Sequence, residues 1–234
     1  MSCVRKSGRK EDAMTNRQRV NSEQTQRRRQ NLIPNSEKPI AQRETASKNS
    51  MTGTEVFKKY NSAVFMVFTS DGEKAYQGSG FFVSATGIGI SNYHVFEGTT
   101  IGYEQIKLSN NKIYRIKNVI ARNKENDYII FQVESSSSVF NYIPIGNRQP
   151  KVGEKVFAIG SPRGLENTFS SGEISQIRGD NIIQISVPID HGSSGGALIN
   201  EYGNVIGITM GGYDNSGANL NFAVNINVLT PYLK

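Results

Sequence analysis

The segment Asp190-His191-Gly192-Ser193-Ser194-Gly195-Gly196-Ala197-Leu198 lies between two β-rich runs, Ile182–Val187 and Ala197–Ile199. Its three glycines free the backbone to turn sharply and let another chain approach closely. A flexible linker has a similar composition, but a mere linker is not expected between two strand-forming runs. The segment therefore predicts a tight loop inside a β domain.

Strand-like runs recur on both sides of this loop. They are rich in Val, Ile, Phe and Tyr and are separated by Gly, Asn, Asp and Ser, which is the pattern of short strands joined by turns. Helical patterns are confined to Thr54–Tyr60 and Ile226–Leu233. No amphipathic helix of 10–15 residues separates the strands, which argues against a βαβ arrangement. The predicted class is all-β, a sandwich or a pair of barrels. The remaining predicted strands are Ala63–Thr69, Gly80–Ser84, Gly89–Asn92, Gln105–Leu108, Lys112–Val119, Tyr128–Val133, Lys155–Ile159, Gly172–Arg178, Val205–Met210 and Asn221–Asn225.

The first fifty residues have a different composition. They carry the whole net charge of +7 and contain no Phe, Tyr or Trp. Such a segment buries too little apolar surface to offset its ordering entropy, so we expect a disordered basic tail over residues 1–50. The run Arg27-Arg28-Arg29 is then a solvated charge run or, alternatively, a weak contact with nucleic acid or anionic lipid. A polar linker over Ser135–Ser138 and Gly146–Gly153 divides the rest into domains 51–145 and 146–234.

Ser194 is the candidate nucleophile. A serine hydroxyl attacks a carbonyl only when a base takes its proton and donors bind the oxyanion that forms. The backbone amides of Gly192 and Ser194 have the spacing of such an oxyanion hole. The base must be His94 or His191, because the chain has only two histidines. His191 is adjacent to the loop but three residues before the serine, so we expect its side chain at the pocket wall or in solvent.

A carboxylate is needed to orient the imidazole, and Asp127 fits because it opens the apolar run Tyr128–Phe131. Each residue alone has a simpler interpretation: His94 as a structural histidine after a strand, and Asp127 as a turn residue.

Taken in order, these segments resemble the chymotrypsin-like serine proteases of the HtrA (protease Do) type. The resemblance runs from about residue 63 to residue 229. The histidine motif is Ser91-Asn92-Tyr93-His94-Val95, the aspartate motif is Asp127-Tyr128-Ile129-Ile130-Phe131, and the serine motif is the loop quoted above. Three further segments are similar to the family pattern: Ala158-Ile159-Gly160-Ser161-Pro162-Arg163-Gly164-Leu165, Ser171-Gly172-Glu173-Ile174-Ser175 and Asn221-Phe222-Ala223-Val224.

The resemblance implies two six-stranded antiparallel β-barrels with the active site in the cleft between them. His94 and Asp127 are then on the first barrel, and Ser194 with the substrate-binding strand is on the second. The implied activity is endopeptidase cleavage of protein or peptide substrates. Substrate is expected to add a strand along Thr209-Met210-Gly211-Gly212. Pro188 and Ile189 at the pocket favour a small or medium aliphatic residue before the cut, and Asp190 keeps open a preference for a basic residue.

Departures from the family pattern also carry expectations. His191 stands where the family has the proline of its serine loop, which affects the resting shape of the oxyanion hole. Ser193 stands where trypsin-like digestive enzymes have an aspartate that pairs with a new N-terminus, so we expect no zymogen cleavage. The residues after Ser194 finish a barrel but are too few for a PDZ domain as well.

Several other classes are disfavoured by composition. No run approaches the roughly 20 apolar residues of a membrane span, and a single cysteine excludes a disulfide framework or a multi-cysteine zinc site. We expect no cofactor, no metal and no specific nucleic acid. A catalytically silent relative that binds extended peptides remains the main alternative, followed by a tail-driven nucleic-acid or membrane-surface binder. The absence of a recognisable export signal favours the cytoplasm, whereas the family resemblance favours an extracytoplasmic compartment. The resemblance is also compatible with a trimer.

Overall fold

The computed structural model describes residues 39–41, 43–44, 49–100, 102–135, 139–161, 167–212 and 220–233. The described strands are β1 (Arg43–Glu44), β2 (Val64–Ser70), β3 (Ala75–Phe82), β4 (Ile88–Ser91), β5 (Gln105–Leu108), β6 (Ile113–Asn123), β7 (Tyr128–Val133), β8 (Ile145–Gly146), β9 (Lys155–Gly160), β10 (Thr168–Arg178), β11 (Ile182–Ile185), β12 (Ala197–Asn200), β13 (Val205–Gly212) and β14 (Asn221–Asn225).

The first barrel consists of β2 to β7. Its strands follow the order β2-β3-β4-β7-β6-β5, and pairing of β2 with β5 closes it. All the pairings are antiparallel. Its interior is filled by aromatic rings, with Phe82 between Phe65 and Phe140 at centroid distances of 4.6 and 4.5 Å. Closure removes the free edges that would otherwise pair with other chains.

The second barrel consists of β9 to β14. The order is β13-β12-β9-β10-β11-β14, and a β13–β14 pairing closes this barrel as well. Two short strands extend it at β13, because β8 pairs in parallel with β13 and β1 pairs in parallel with β8. The expected pair of six-stranded antiparallel barrels is confirmed.

One apolar cluster spans both barrels. It contains Val64, Phe81 and Ile130 of the first barrel and Phe157 and Ile208 of the second, all at most 1% exposed. A shared core of this kind fixes the two barrels against each other, which matters because the candidate site draws residues from both.

The folded unit begins before residue 51. Ile40 is buried, and its amide donates to the Tyr232 carbonyl oxygen. The Arg43 guanidinium donates to Gly146 O, Asn227 Oδ1 and Thr230 Oγ1. Residues 40–41 and 43–44 therefore belong to the folded unit, although the sequence predicts a disordered tail through residue 50. That expectation otherwise falls largely on residues outside the described ranges.

The two expected helices are both present. The first, α1 (Gly53–Tyr60), begins at a capping box in which Thr52 Oγ1 accepts from Glu55 N and the Glu55 carboxylate accepts from Thr52 N. This exchange lowers the pKa of Glu55. The second, Ile226–Tyr232, is a 3-10 helix, and two further 3-10 turns are Asn61–Ala63 and Tyr93–Val95.

The passage between the barrels lies close to the predicted linker. Residues 139–144 have no regular structure and are fastened to the first barrel by Phe140 N to Ala85 O and Ile143 N to Phe82 O. Ile145 already pairs with β13, so the change of barrel comes just before residue 145. Residues 136–138 of the predicted linker lie outside the described ranges. No helix among the described residues has the length and apolar character that crossing a membrane requires.

Candidate active site

His94 and Asp127 form a hydrogen-bonded pair. His94 Nδ1 lies 2.8 Å from Asp127 Oδ2, and the His94 amide donates to Asp127 Oδ1 at 2.9 Å. The imidazole is 44% exposed and the carboxylate 16% exposed. A carboxylate at Nδ1 favours the tautomer that carries its proton there, which leaves Nε2 as the acceptor.

Asp127 occupies a strained turn position at the start of β7. Its φ of 46° lies in the left-handed region, which Asp tolerates better than most residues. The Asn92 amide group donates to the Asp127 carbonyl oxygen at 2.9 Å. Asn92 is fully buried, and its Oδ1 has no hydrogen-bond partner among the described residues. Asn92 thus holds the aspartate turn against the strand that leads to the histidine.

His94 lies on the 3-10 turn Tyr93–Val95, just after β4. The buried Thr69 hydroxyl donates to the Val95 carbonyl oxygen at 2.9 Å. Val95 packs on Gly78, where a Cβ atom would come within 2.7 Å of the valine methyl group. The turn is therefore fixed to β2 and β3 of the first barrel.

An ion pair lies beside the histidine and the aspartate. The Lys124 ammonium contacts the Glu97 carboxylate, and this contact raises the pKa of Lys124. Glu97 follows His94 by three residues and Lys124 precedes Asp127 by three. The pair links the two loops at the rim, although an exposed pair of this kind adds little stability.

Ser194 lies on the tight loop predicted from the sequence. The loop is tied to β13 of the second barrel by Gly195 N to Thr209 O at 2.8 Å and Thr209 N to Gly196 O at 3.0 Å. Gly195 has a φ of 89°, and a Cβ atom at this position would overlap Ser79 O and Ser91 Oγ. Glycine is required here on both counts.

The serine loop and the histidine turn meet at Gly78 and Ser79 of β3. Ser79 N donates to Ser194 O at 2.8 Å, and Gly78 packs between Val95 and that same carbonyl oxygen. The structure thus brings the Ser194 backbone and the His94 turn to one short segment of the first barrel.

The Ser194 hydroxyl donates to the Met210 carbonyl oxygen at 3.1 Å. Within the described part of the chain, no hydrogen bond joins this hydroxyl to His94. Of the three predicted catalytic residues, His94 and Asp127 are therefore hydrogen-bonded to each other, whereas the Ser194 hydroxyl is bonded to β13.

The two predicted oxyanion donors, the amides of Gly192 and Ser194, lie on one turn of the serine loop. Gly192 has a φ of 90°, which places it in the left-handed region. Among the described residues, neither Gly192 N nor Ser194 N has a hydrogen-bond acceptor. Two unpaired amides on one glycine-rich turn are suited to bind a negatively charged oxygen.

The predicted substrate-binding residues divide between two depressions. Pro188, Ile189 and Thr209 line a cavity of about 160 Å³ together with Asp190 and Ser193. Met210, Gly211 and Gly212 line an open groove with Ile182 and Phe222. Asp190 is exposed, and its carboxylate accepts from His191 N at 2.7 Å. His191 is exposed beside the loop, at a position consistent with its predicted place at the pocket wall or in solvent.

Ser79 was not identified from the sequence. Its hydroxyl donates to Gly192 O at 2.7 Å and accepts from Ser161 N at 2.8 Å, while Ser91 Oγ donates to Ser79 O at 2.7 Å. The available signal was the pair of glycines on either side of it inside a strand, a pattern that marks close approach of another backbone. Among the described residues, no cluster of His, Cys, Asp and Glu is arranged to hold a metal ion.

Comparisons with known proteins identify relatives of this chain. The family model of the trypsin-like peptidase domain matches residues 78–208, more than half of the chain. Protease Do-like 1, chloroplastic, of Arabidopsis thaliana is 32% identical over 165 residues, which cover 65% of this chain and 37% of that protein. A probable periplasmic serine endoprotease, DegP-like, of Halomonas elongata is 34% identical over 167 residues, covering 67% of this chain and 34% of that protein.

A solved structure shows the same architecture. The crystal structure of the serine endoprotease from Yersinia pestis superposes with a TM-score of 0.69 and 26% identity, covering 78% of this chain and 65% of that one. The chain spans little more than a third of the length of the two curated relatives above. It belongs to the trypsin-like peptidase domain family and, within that family, is similar to proteases of the Do type.

Proposed function

We propose that this chain is a serine endopeptidase in which Ser194 is the nucleophile, His94 the general base and Asp127 the orienting carboxylate. The observation that carries the proposal is the His94–Asp127 hydrogen bond, made on a turn that packs against the same glycine as the Ser194 backbone. Membership of a peptidase family supports the same conclusion.

The proton transfers follow from these groups. Neutral His94 takes the proton of Ser194 Oγ at Nε2 as the oxygen attacks a peptide carbonyl, and then gives that proton to the departing amine. Asp127 keeps the Nδ1 proton in place and stabilises the imidazolium formed on the way. Water then attacks the acyl-enzyme ester while His94 again takes the proton. This step releases the acid product and restores the serine.

Substrate binding releases the serine hydroxyl for this reaction. β13 pairs with β12 only as far as Ile208, so residues 210–212 have no partner among the described strands on the side of the serine loop. A peptide added along this edge donates an N–H group to Met210 O, the acceptor that now holds Ser194 Oγ. The hydroxyl then rotates about the Cα–Cβ bond into another staggered position, toward His94. Catalytic hydrogen bonds that are long or absent without substrate commonly tighten when it binds.

The oxyanion of the tetrahedral intermediate binds the Gly192 and Ser194 amides. The loop that carries these donors is bonded to β3 and β13, which supports a reaction with little reorganisation of the loop. Loss of one such donor typically costs about 3 kcal/mol of transition-state stabilisation.

The preferred substrate has a small or medium aliphatic residue before the cut. A cavity of about 160 Å³ whose walls include Pro188, Ile189 and Thr209 suits such a side chain. Asp190 lines the same cavity and is exposed, so a basic residue is the competing preference. A peptide library that varies this position distinguishes the two.

A silent peptide-binding relative is the second candidate function. The observation that favours it is the Ser194 hydroxyl bonded to Met210 O without a bond to His94. In that case the chain binds extended peptides along β13 and forms no acyl-enzyme.

Labelling with a fluorophosphonate tests the proposal. The wild type is expected to react with the label and to cleave casein, whereas Ser194→Ala should do neither. The control is Ser175→Ala, which changes an exposed serine of β10 and should behave as the wild type does. A folded wild type that neither labels nor cleaves casein overturns the peptidase proposal. Equal peptide affinity of the wild type and Ser194→Ala would then support the silent relative.

Compartment and assembly are part of the proposal. The cytoplasm stays the predicted compartment. The alternative is an extracytoplasmic compartment, which is supported by the names of two relatives that read chloroplastic and periplasmic. Cell fractionation with an antibody decides between them. Sedimentation analysis tests whether the chain assembles as a trimer.

A further inference from the structure

Two buried hydroxyls contact the serine loop from opposite barrels. Ser79 of β3 is 0% exposed, and its hydroxyl donates to Gly192 O at 2.7 Å. Thr209 of β13 is 1% exposed, and its hydroxyl donates to Ser193 O at 2.6 Å. The two acceptors are consecutive carbonyl groups of the same turn.

The peptide group between Gly192 and Ser193 is held at both ends. Its carbonyl oxygen accepts from Ser79, and its N–H group donates to Asp190 O at 3.0 Å. A planar peptide group with both polar atoms bonded cannot rotate without breaking a buried hydrogen bond. The torsion angles of Gly192 are thereby restricted, and with them the direction of the Gly192 N–H group.

The next peptide group is held through its carbonyl oxygen alone. Ser193 O accepts from the Thr209 hydroxyl and from Gly196 N at 2.9 Å. In a trans peptide the N–H group points opposite to the carbonyl oxygen. Holding Ser193 O toward β13 therefore directs the Ser194 N–H group away from β13, where it has no acceptor among the described residues.

The direction of the Ser79 hydrogen bond is settled by its other partner. Ser161 N donates to Ser79 Oγ at 2.8 Å, so that contact uses a lone pair of the hydroxyl oxygen. The single hydroxyl proton is left for Gly192 O. Alanine at residue 79 would remove this donor but keep the backbone bond from residue 79 to Ser194 O.

We propose that Ser79 and Thr209 are positioning residues, one from each barrel, that set the orientation of the two oxyanion-binding amides through the carbonyl oxygens of Gly192 and Ser193. This inference rests on the proposed function, because it assigns the amides to the oxyanion of that reaction. Neither hydroxyl touches the substrate carbonyl; each acts through one peptide group of the turn.

The test compares a peptide ester with the matching thionoester, which has sulfur in place of the attacked carbonyl oxygen. Sulfur is larger and a weaker hydrogen-bond acceptor, so correctly placed amides favour the oxygen compound. The ratio of kcat/KM for the two compounds, measured on one sample, is independent of the folded fraction of the enzyme. Displacement of His94 slows both reactions and leaves the ratio nearly unchanged.

We expect Ser79→Ala and Thr209→Val each to lower the oxygen-to-sulfur ratio by about tenfold, with KM for the ester little changed. Thr209→Ser keeps the hydroxyl and should keep the wild-type ratio. The matched control is Thr69→Val, which also loses a buried hydroxyl bonded to a backbone carbonyl, that of Val95, but contacts no peptide group of the serine loop.

The outcomes separate this inference from the proposed function. An active wild type whose ratio is unchanged in both Ser79→Ala and Thr209→Val overturns the positioning role and leaves the peptidase proposal standing. A ratio that falls equally in Thr69→Val also overturns it, since any buried hydroxyl would then have the same effect. A wild type that hydrolyses neither compound and does not label with fluorophosphonate refutes the peptidase proposal itself.

Discussion

At the scale of single residues, Gly195 combines a left-handed backbone conformation with the close approach of two neighbouring oxygen atoms. Its φ of 89° disfavours any side chain, and the space for a Cβ atom is already occupied by Ser79 O and Ser91 Oγ. Gly72, in the β2–β3 turn, has a similar φ of 98° but nothing within 4 Å of a Cβ atom. Comparing the two positions separates backbone strain from steric overlap.

We expect Gly195→Ala to abolish peptidase activity and to lower thermal stability markedly, because the loop must move away from β3 to admit the methyl group. Gly72→Ala should cost only about 1–2 kcal/mol, the strain of a left-handed residue, and should leave activity intact. Thermal unfolding and casein cleavage by both variants provide the measurement. Equal stability losses for the two would mean that the close approach at Gly195 is unimportant.

The sequence identified the residues of the candidate site by type and order but not their hydrogen-bond partners. Motifs around His94, Asp127 and Ser194 pointed to each residue, and the first two lie hydrogen-bonded in the structure. The partner of the Ser194 hydroxyl, Met210 O, is a backbone atom sixteen residues away, and no side-chain pattern encodes it. The role of Ser79 could not be predicted for the same reason, because its hydroxyl also contacts backbone groups.

At the scale of elements, long strands were predictable and two-residue strands were not. Alternating or continuous apolar runs indicated the regions of β2, β7 and β9. The strands β1 and β8 have two residues each and exist because each pairs with a neighbouring strand. Their formation depends on tertiary contacts, which local sequence does not show.

The β2–β3 hairpin turn contains a titratable group whose ionised form is strongly hydrogen-bonded. The Asp71 carboxylate accepts from the Tyr76 hydroxyl at 2.6 Å and from the amides of Glu73 and Lys74 at 2.9 and 2.7 Å. These bonds, that of Tyr76 foremost, lower the pKa of Asp71 from 3.8 to about 2. The bonds favour the charged form, so they stabilise the folded state only while Asp71 is ionised.

The sign of the pH dependence follows from the lowered pKa. Ionised Asp71 contributes its full stabilisation above pH 3.8, and this contribution is lost as the pH falls toward about 2. We expect the difference in free energy of unfolding between wild type and Asp71→Asn to be constant above about pH 5 and to shrink steadily below pH 4. Urea unfolding at a series of pH values measures it. A difference that stays constant down to pH 2 would show that the turn does not favour the ionised form.

At the scale of the whole molecule, the first and the last described residues of the chain meet at the second barrel. β1 pairs with β8, and β8 pairs with β13 of this barrel. In addition, the Arg43 guanidinium donates a hydrogen bond to Thr230 Oγ1, close to the last described residue. Composition alone placed residues 1–50 together because it averages over the segment. The buried Ile40 and the bonded Arg43 are single residues within a polar stretch, and their roles depend on a surface that only the folded barrel provides.

This arrangement predicts different stabilities for two truncated chains, one beginning at residue 39 and the other at residue 51. Their difference reports the contribution of residues 39–50, which includes the burial of Ile40, the pairing of β1 with β8 and the three hydrogen bonds of Arg43. The free energy gained from these contacts is partly offset by the entropy lost when the segment is ordered. We therefore expect the shorter chain to be less stable by roughly 1–3 kcal/mol. Urea unfolding followed by circular dichroism suits a chain without Trp. Ile40→Ala in the longer chain should reproduce part of the loss, and coincident unfolding curves for all three proteins would show that the segment adds nothing to the fold.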